Sequence, residues 1–278
     1  MELVYKYLPP ERETFLSDGL LRMTQPGDLN DPFECLSFYP DIDPIKEIED
    51  CVARHGSPMI ESSTRDLDTL IQVNVGSQIA LIKASNPSAK AKAVRKYCED
   101  FFLPGPNGSI GIVSFSRRWT SSTMWAHYAQ KHSGYCVGFD RNHRSLQYSH
   151  WKMQTGSMRD VKYIAERPVY NMKDQQPSLD EILFRKSADW EYEKEFRIVY
   201  ALKDCDTNLP PPADSLTQLP LYFKHFDPAS IKEVMLGYTV KENIRDSVLV
   251  FAKTHQIPAF RMQLSSTTSF DMEREQIA

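Results

Sequence analysis

The chain has 278 residues, 41% apolar and 25% charged, which is the make-up of an ordinary folded domain and excludes disordered, collagen-like and disulfide-stapled classes. Lys and Arg number 33 against 37 acidic residues, a net charge of -4, so no bulk basic field exists to hold nucleic acid without sequence preference. No run approaches the roughly 18 apolar residues of a membrane span, and Met1 to Lys6 lacks a secretory apolar core, so a cytoplasmic protein without membrane association is expected.

In chain order, residues 3–7 read as a short strand. Pro9 and Pro10 suit a helix start, because proline needs no helical N–H there, and Gly19 suits its stop. Residues 20–23 read as a second strand ended by Gln25-Pro26-Gly27, followed by the polar loop Asn30-Asp31-Pro32-Phe33-Glu34. Residues 44–103 carry helical periodicity at Ile45, Ile48 and Val52, then at Leu70, Ile71, Val75, Ile79 and Ile82, and are expected to form a helical insertion. Residues 104–108 form a Pro- and Gly-rich break.

Beyond it, strands are expected at 110–115, 135–139, 161–164, 196–202, 219–223, 234–236 and 259–264. Helices are expected at 121–130 (closed by Gly134), 179–186 and 242–253, with a loose polar end at 265–278. Together these give one α+β domain over 1–278, with a mostly antiparallel, split mixed sheet of about seven to nine strands. The five cysteines are scattered with no C-x-x-C pair, so reduced thiols are expected. His127 and His132, five apart, lack the one-face spacing of a zinc-protease helix, and no metal site is expected. Neither G-x-G-x-x-G nor a Walker sequence is present, which disfavours dehydrogenase-type and P-loop chemistry.

The candidate chemistry lies in three groups at strand ends: Tyr5-Lys6-Tyr7, Ser114-Phe115-Ser116 with Met124-Trp125-Ala126-His127-Tyr128, and Trp190 to Arg197. Asn30-Asp31-Pro32-Phe33-Glu34, Met124 to Tyr128, and Lys186 with Trp190 to Arg197 resemble the hallmarks of the bacterial family called domain of unknown function 2971. The order of a first-strand Tyr/Lys, a Ser-x-Ser and a Glu-x-Glu is also similar to the ADP-ribosyltransferase superfamily. Lys6 stands there where that superfamily has Arg or His. This second resemblance implies an ADP-ribosyltransferase-like fold with NAD as substrate. It also implies a toxin or anti-phage effector, acting on a nucleic-acid or protein acceptor and held by an antitoxin or other partner.

Each group carries a functional and a plain reading. Glu193 and Glu195 would share a strand face, with Glu195 the favoured carboxylate for a sugar cation and Glu193 free to orient the acceptor. Otherwise they pair with Lys194 and Arg197 on a solvated edge. Ser114 and Ser116 would steady the ribose, or simply sit outside while Phe115 enters the core. Lys6 would meet the pyrophosphate between Tyr5 and Tyr7, or be an exposed strand lysine. Trp125 or Tyr128 would stack on a ring, and His127, rotated about 160° from Trp125 on the helix, would shuttle protons. Otherwise the aromatics pack on the sheet. Asn30 and Asp31 would meet sugar hydroxyls, or close a turn on their own backbone. Two other classes stay open: a nuclease with Arg117, Arg118, His127 and Lys186 on phosphate and Asp31 and Glu34 on a metal, and a non-catalytic nucleotide-sensing module.

Overall fold

The computed structural model describes residues 1–31, 33–36, 104–147, 158–170 and 177–278. The chain divides into two compact units. Met1–Cys35, Pro106–Glu166 and Leu179–Ala278 form the first; Leu36–Gly105 and Arg167–Ser178 form the second. The expected helical insertion at 44–103 lies outside the described residues. Every strand among the described residues lies in the first unit.

The architecture is α+β with a large mixed sheet. Its eight strands run in the order β13-β12-β11-β4-β1-β3-β8-β5. They are β1 (Leu3–Leu8), β3 (Ile110–Ser116), β4 (Tyr135–Asp140), β5 (Arg159–Asp160), β8 (Glu195–Ala201), β11 (Ile231–Leu236), β12 (Ala259–Leu264) and β13 (Met272–Gln276). All neighbouring pairs are antiparallel except β11 and β12. Two small sheets flank it: β2 (Leu20–Met23) with β10 (Leu221–His225) and β9 (Thr207–Leu209), and β6 (Lys162–Ile164) with β7 (Arg185–Ser187). The short helices are α1 (Phe15–Asp18), α2 (Pro104–Ser109), α3 (Ser122–Tyr128) and α4 (Leu179–Leu183); α5 (Glu242–His255) is longer. No described helix is long and apolar enough to cross a membrane.

Alternation along β1 builds two cores. Val4 and Leu8 join one face with Phe115, Phe139, Phe196 and the buried stripe Ile244, Val248 and Phe251 of α5. Tyr5 and Tyr7 join the other face with Met124 and Trp125 of α3, where Tyr7 meets Trp125 edge-on at 5.2 Å between ring centroids. Ser121 caps α3 by accepting the Met124 N–H at 3.3 Å.

Several expectations need correction. The Pro10 segment forms a 3-10 turn (Pro10–Arg12) before α1, not one continuous helix. Residues 104–109 are helical although rich in Pro and Gly. The helix expected at 179–186 stops at Leu183, because Arg185–Ser187 pairs with β6 instead. The strand expected at 161–164 is β6, with the separate β5 just before it, and the one expected at 219–223 runs Leu221–His225. The polar end is not loose: β13 pairs with β12 over five residue pairs, from Phe260 with Gln276 to Leu264 with Met272. Its apolar signal is too sparse for a periodicity test, since Met272 alone of that strand is buried.

Candidate functional site

β1 and β3 pair at one register point, Tyr5 with Ser116, whereas β1 pairs with β4 over six residues. Beyond that point β1 and β3 part, and a cavity of about 260 Å³ opens beside them. Consecutive residues of both strands line it: Tyr5, Lys6 and Tyr7, and Ser114, Phe115 and Ser116. Strict alternation would send neighbours to opposite faces, but a gap between unpaired strands is reached from both.

The next strand brings the carboxylates. In the β3–β8 register Ser116 faces Glu195 and Ser114 faces Arg197, so Tyr5, Ser116 and Glu195 form one row across three strands. Glu193 arrives by a different route from the one expected. It ends the 3-10 turn Ala188–Glu193, and Lys194 follows in the left-handed region at φ 45°, so the pair does not share a strand face by alternation. Main-chain pins hold the corner: the Ser116 hydroxyl donates to the Glu193 carbonyl at 2.6 Å, and the Arg117 N–H donates to that of Lys194 at 3.0 Å.

The glutamates are not on a solvated edge. Glu34, Glu193, Glu195, Lys186 and Arg197 are all at most 5% exposed. Lys186 Nζ donates to Glu193 Oε2 at 2.7 Å and lies 3.5 Å from both Glu34 and Glu195, with its charge 4.7 Å from the centre of the Trp190 ring. Arg197 grips Glu195 in a two-pronged bond, Nε to Oε1 at 2.7 Å and Nη2 to Oε2 at 2.9 Å, and pairs with Glu34. Lys194, the expected partner, pairs with Glu191 instead. Burial pushes the Glu195 carboxyl up to about 7, against the pull of Lys186, while Glu193 adds to the rise. Burial also opposes charge on Lys186, but Glu195 and Glu193 outweigh it and its pKa is raised.

The other expected residues divide. Tyr128 lines the cavity; its phenol donates to Glu193 and accepts from Asn30 Nδ2 at 2.9 Å. Burial and Glu193 push that phenol far above its ordinary pKa. Tyr7 donates to the Arg118 carbonyl at 2.7 Å. Trp125 is fully buried in the core, with its Nε1 on the Trp119 carbonyl at 2.7 Å, and offers no face for stacking. His127 is exposed, 3.3 Å from the Tyr192 hydroxyl, and is not among the cavity residues. Asp31 closes a turn by accepting the Phe33 N–H at 2.9 Å and also lies off the cavity wall. Glu34 contacts Arg197 and Lys186, the cations that neutralise it. Arg22, Thr24, Asp28, Leu29 and Met124 also line the cavity. The sequence offered a signal for Lys186 and Arg197, which stand in the same hallmark stretch as the glutamates, but none for Arg22.

The arrangement defines a class: a mixed-sheet α+β protein with a buried acid–base cluster opening on a small cavity where two central strands part. Residues 124–198 match the family described as protein of unknown function (DUF2971). That stretch contains Tyr128, Lys186, Glu193, Glu195 and Arg197; Asn30 to Glu34 lies outside it. No curated protein and no solved structure matches the chain, and the likeness to ADP-ribosyltransferases has no counterpart in these comparisons.

Proposed function

We propose that the chain is an ADP-ribosyltransferase-like enzyme that cleaves NAD and transfers ADP-ribose to a nucleic-acid or protein acceptor. One observation carries the reading: Glu193 and Glu195 border a single cavity with Tyr5, Lys6, Tyr7, Ser114 and Ser116, drawn from three separate segments. The volume lies just below the roughly 300–1,000 Å³ of drug-sized sites, which suits a ring with its sugar rather than a whole dinucleotide.

In this mechanism the bond between the ribose C1′ and the nicotinamide nitrogen breaks, and its electron pair leaves on nicotinamide. The positive charge left on the sugar is steadied by Glu195, held in direction by Arg197. The acceptor then forms its bond to C1′ and passes its proton to Glu193. Both glutamates lie inside the cavity wall rather than outside it, which favours catalysis over a sensing role. A toxin or anti-phage role, in the cytoplasm and restrained by a partner, belongs to the same proposal.

The test is chromatographic detection of nicotinamide after incubating the purified chain with NAD and nucleic-acid or protein acceptors. Release is expected from the parent and is expected to fall about a hundredfold or more in Glu195→Gln. Because Glu195 must be ionised and its pKa is about 7, the rate should climb as pH rises through 7. No release with any acceptor, or parental rates in Glu195→Gln, would overturn the reading.

A further inference from the structure

Two lysines reach the cavity, and their surroundings are opposite. Lys186 lies among three carboxylates. Lys6 Nζ donates to a neutral group, the Ser114 carbonyl, at 2.9 Å, and no ion pair forms on it among the described residues. Lys6 is partly buried, and an ammonium partly withdrawn from water without a counter-ion is disfavoured relative to the amine. The position supplies the cause: Lys6 Nζ is held on the Ser114 carbonyl at the gap where β1 and β3 part, the neighbouring β3 and β4 positions are Ser, Phe, Val and Cys, and Glu193 and Glu195 of the same cavity act on it only from beyond ion-pair distance.

We propose that Lys6 is a nucleophilic amine that captures the carbonyl carbon of an open-chain aldose as an imine. The amine lone pair forms a C–N bond to the carbonyl carbon, whose π electrons move to oxygen. The nitrogen gives up its two protons and the oxygen takes up two, relayed through Glu195; the C–O bond breaks, the nitrogen lone pair closes the C=N bond and water leaves, so amine and aldehyde become imine and water. Burial lowers Lys6 to about 8, with Arg12 helping and Glu195, Glu193 and Cys136 opposing, so a useful neutral fraction exists near pH 7. Glu195 in the same cavity, at about 7, still carries protons there and serves as the acid for the departing hydroxyl. The wall suits a polyol: Thr24, Asn30 and Ser114 offer hydroxyl and amide groups. Arg22 adds a buried Nε–H with no hydrogen-bond partner among the described residues. The inference stands whether or not NAD is cleaved.

Reductive trapping tests it without NAD. The full chain is incubated with ribose and cyanoborohydride at pH 7, where hydride adds to the imine carbon and fixes the sugar as a secondary amine. Digestion and fragment mass spectrometry then locate the label, with fragment ions separating Lys6 from the Met1 amine. Lys6 should be labelled at least about tenfold faster than the exposed Lys241 and Lys253. Its rate should climb as pH approaches 8, and the excess should vanish when urea unfolds the chain. Labelling of Lys6 no faster than Lys253, or an excess that persists in urea, would overturn the proposal.

Discussion

Among the described residues, the buried Glu34, Glu193 and Glu195 are paired directly with Lys186 and Arg197 alone, so each cation in the cluster serves more than one carboxylate. Such a group gains little over an apolar core of the same shape, but taking one ion away leaves the others buried and uncompensated. Lys186→Met is therefore expected to cost about 3–5 kcal/mol in urea unfolding at pH 7, with the deficit shrinking below pH 7 as Glu195, raised to about 7, becomes neutral. A deficit that is the same at pH 7 and pH 5 would contradict this account. Glu195 shows the sign: its folded pKa of about 7 exceeds the ordinary 4.5, so its favourable contribution is complete below the lower value and fades as pH rises through the higher one.

At the scale of elements, the site depends on how β1 is held while it parts from β3. Gly134, just before β4, sets the close approach of the two strands on the other side. A Cβ there would overlap the Leu8 carbonyl oxygen and come within 3.0 Å of Pro9 Cα. The sequence suggests Gly134 as a helix stop; the packing gives it a second reason. Gly134→Ala should destabilise the fold by about 1–3 kcal/mol, because backbone and not a flexible side chain must give way. Gly108→Ala, where a Cβ meets nothing within 4 Å, is the matched control and should melt like the parent. Equal melting temperatures for both variants would refute the argument. The 3-10 turn before β8 matters in the same way: left-handed Lys194 lets two glutamates of an E-x-E enter one cavity although strand alternation does not explain it.

Across the whole molecule, β13 finishes the eight-stranded sheet beside β12, and its ties reach the centre. Arg274 donates to Glu233 of β11 at 2.7 Å and lies over the rings of Trp119 and Phe260, while the Met272 N–H bonds the Thr120 carbonyl at 2.7 Å. Removing 265–278 uncovers the β12 edge, so the shortened chain should melt several degrees lower and scatter light on heating. A truncated chain with the parental melting curve would show β13 to be dispensable. Much of this architecture was legible in advance. Alternating runs mark most strands, Pro and Gly mark many breaks, and the motif order brings Lys6, Ser114, Ser116, Glu193 and Glu195 to one cavity. Those signals are local, written in spacing and side-chain chemistry. Trp125 sealed in the core, Glu34 joined to Arg197, and Lys6 without a counter-ion were not legible, and neither was the closing strand β13. Burial and ion pairing depend on which distant segments meet, and a sheet whose central strands part after one paired residue leaves no periodic trace in the chain.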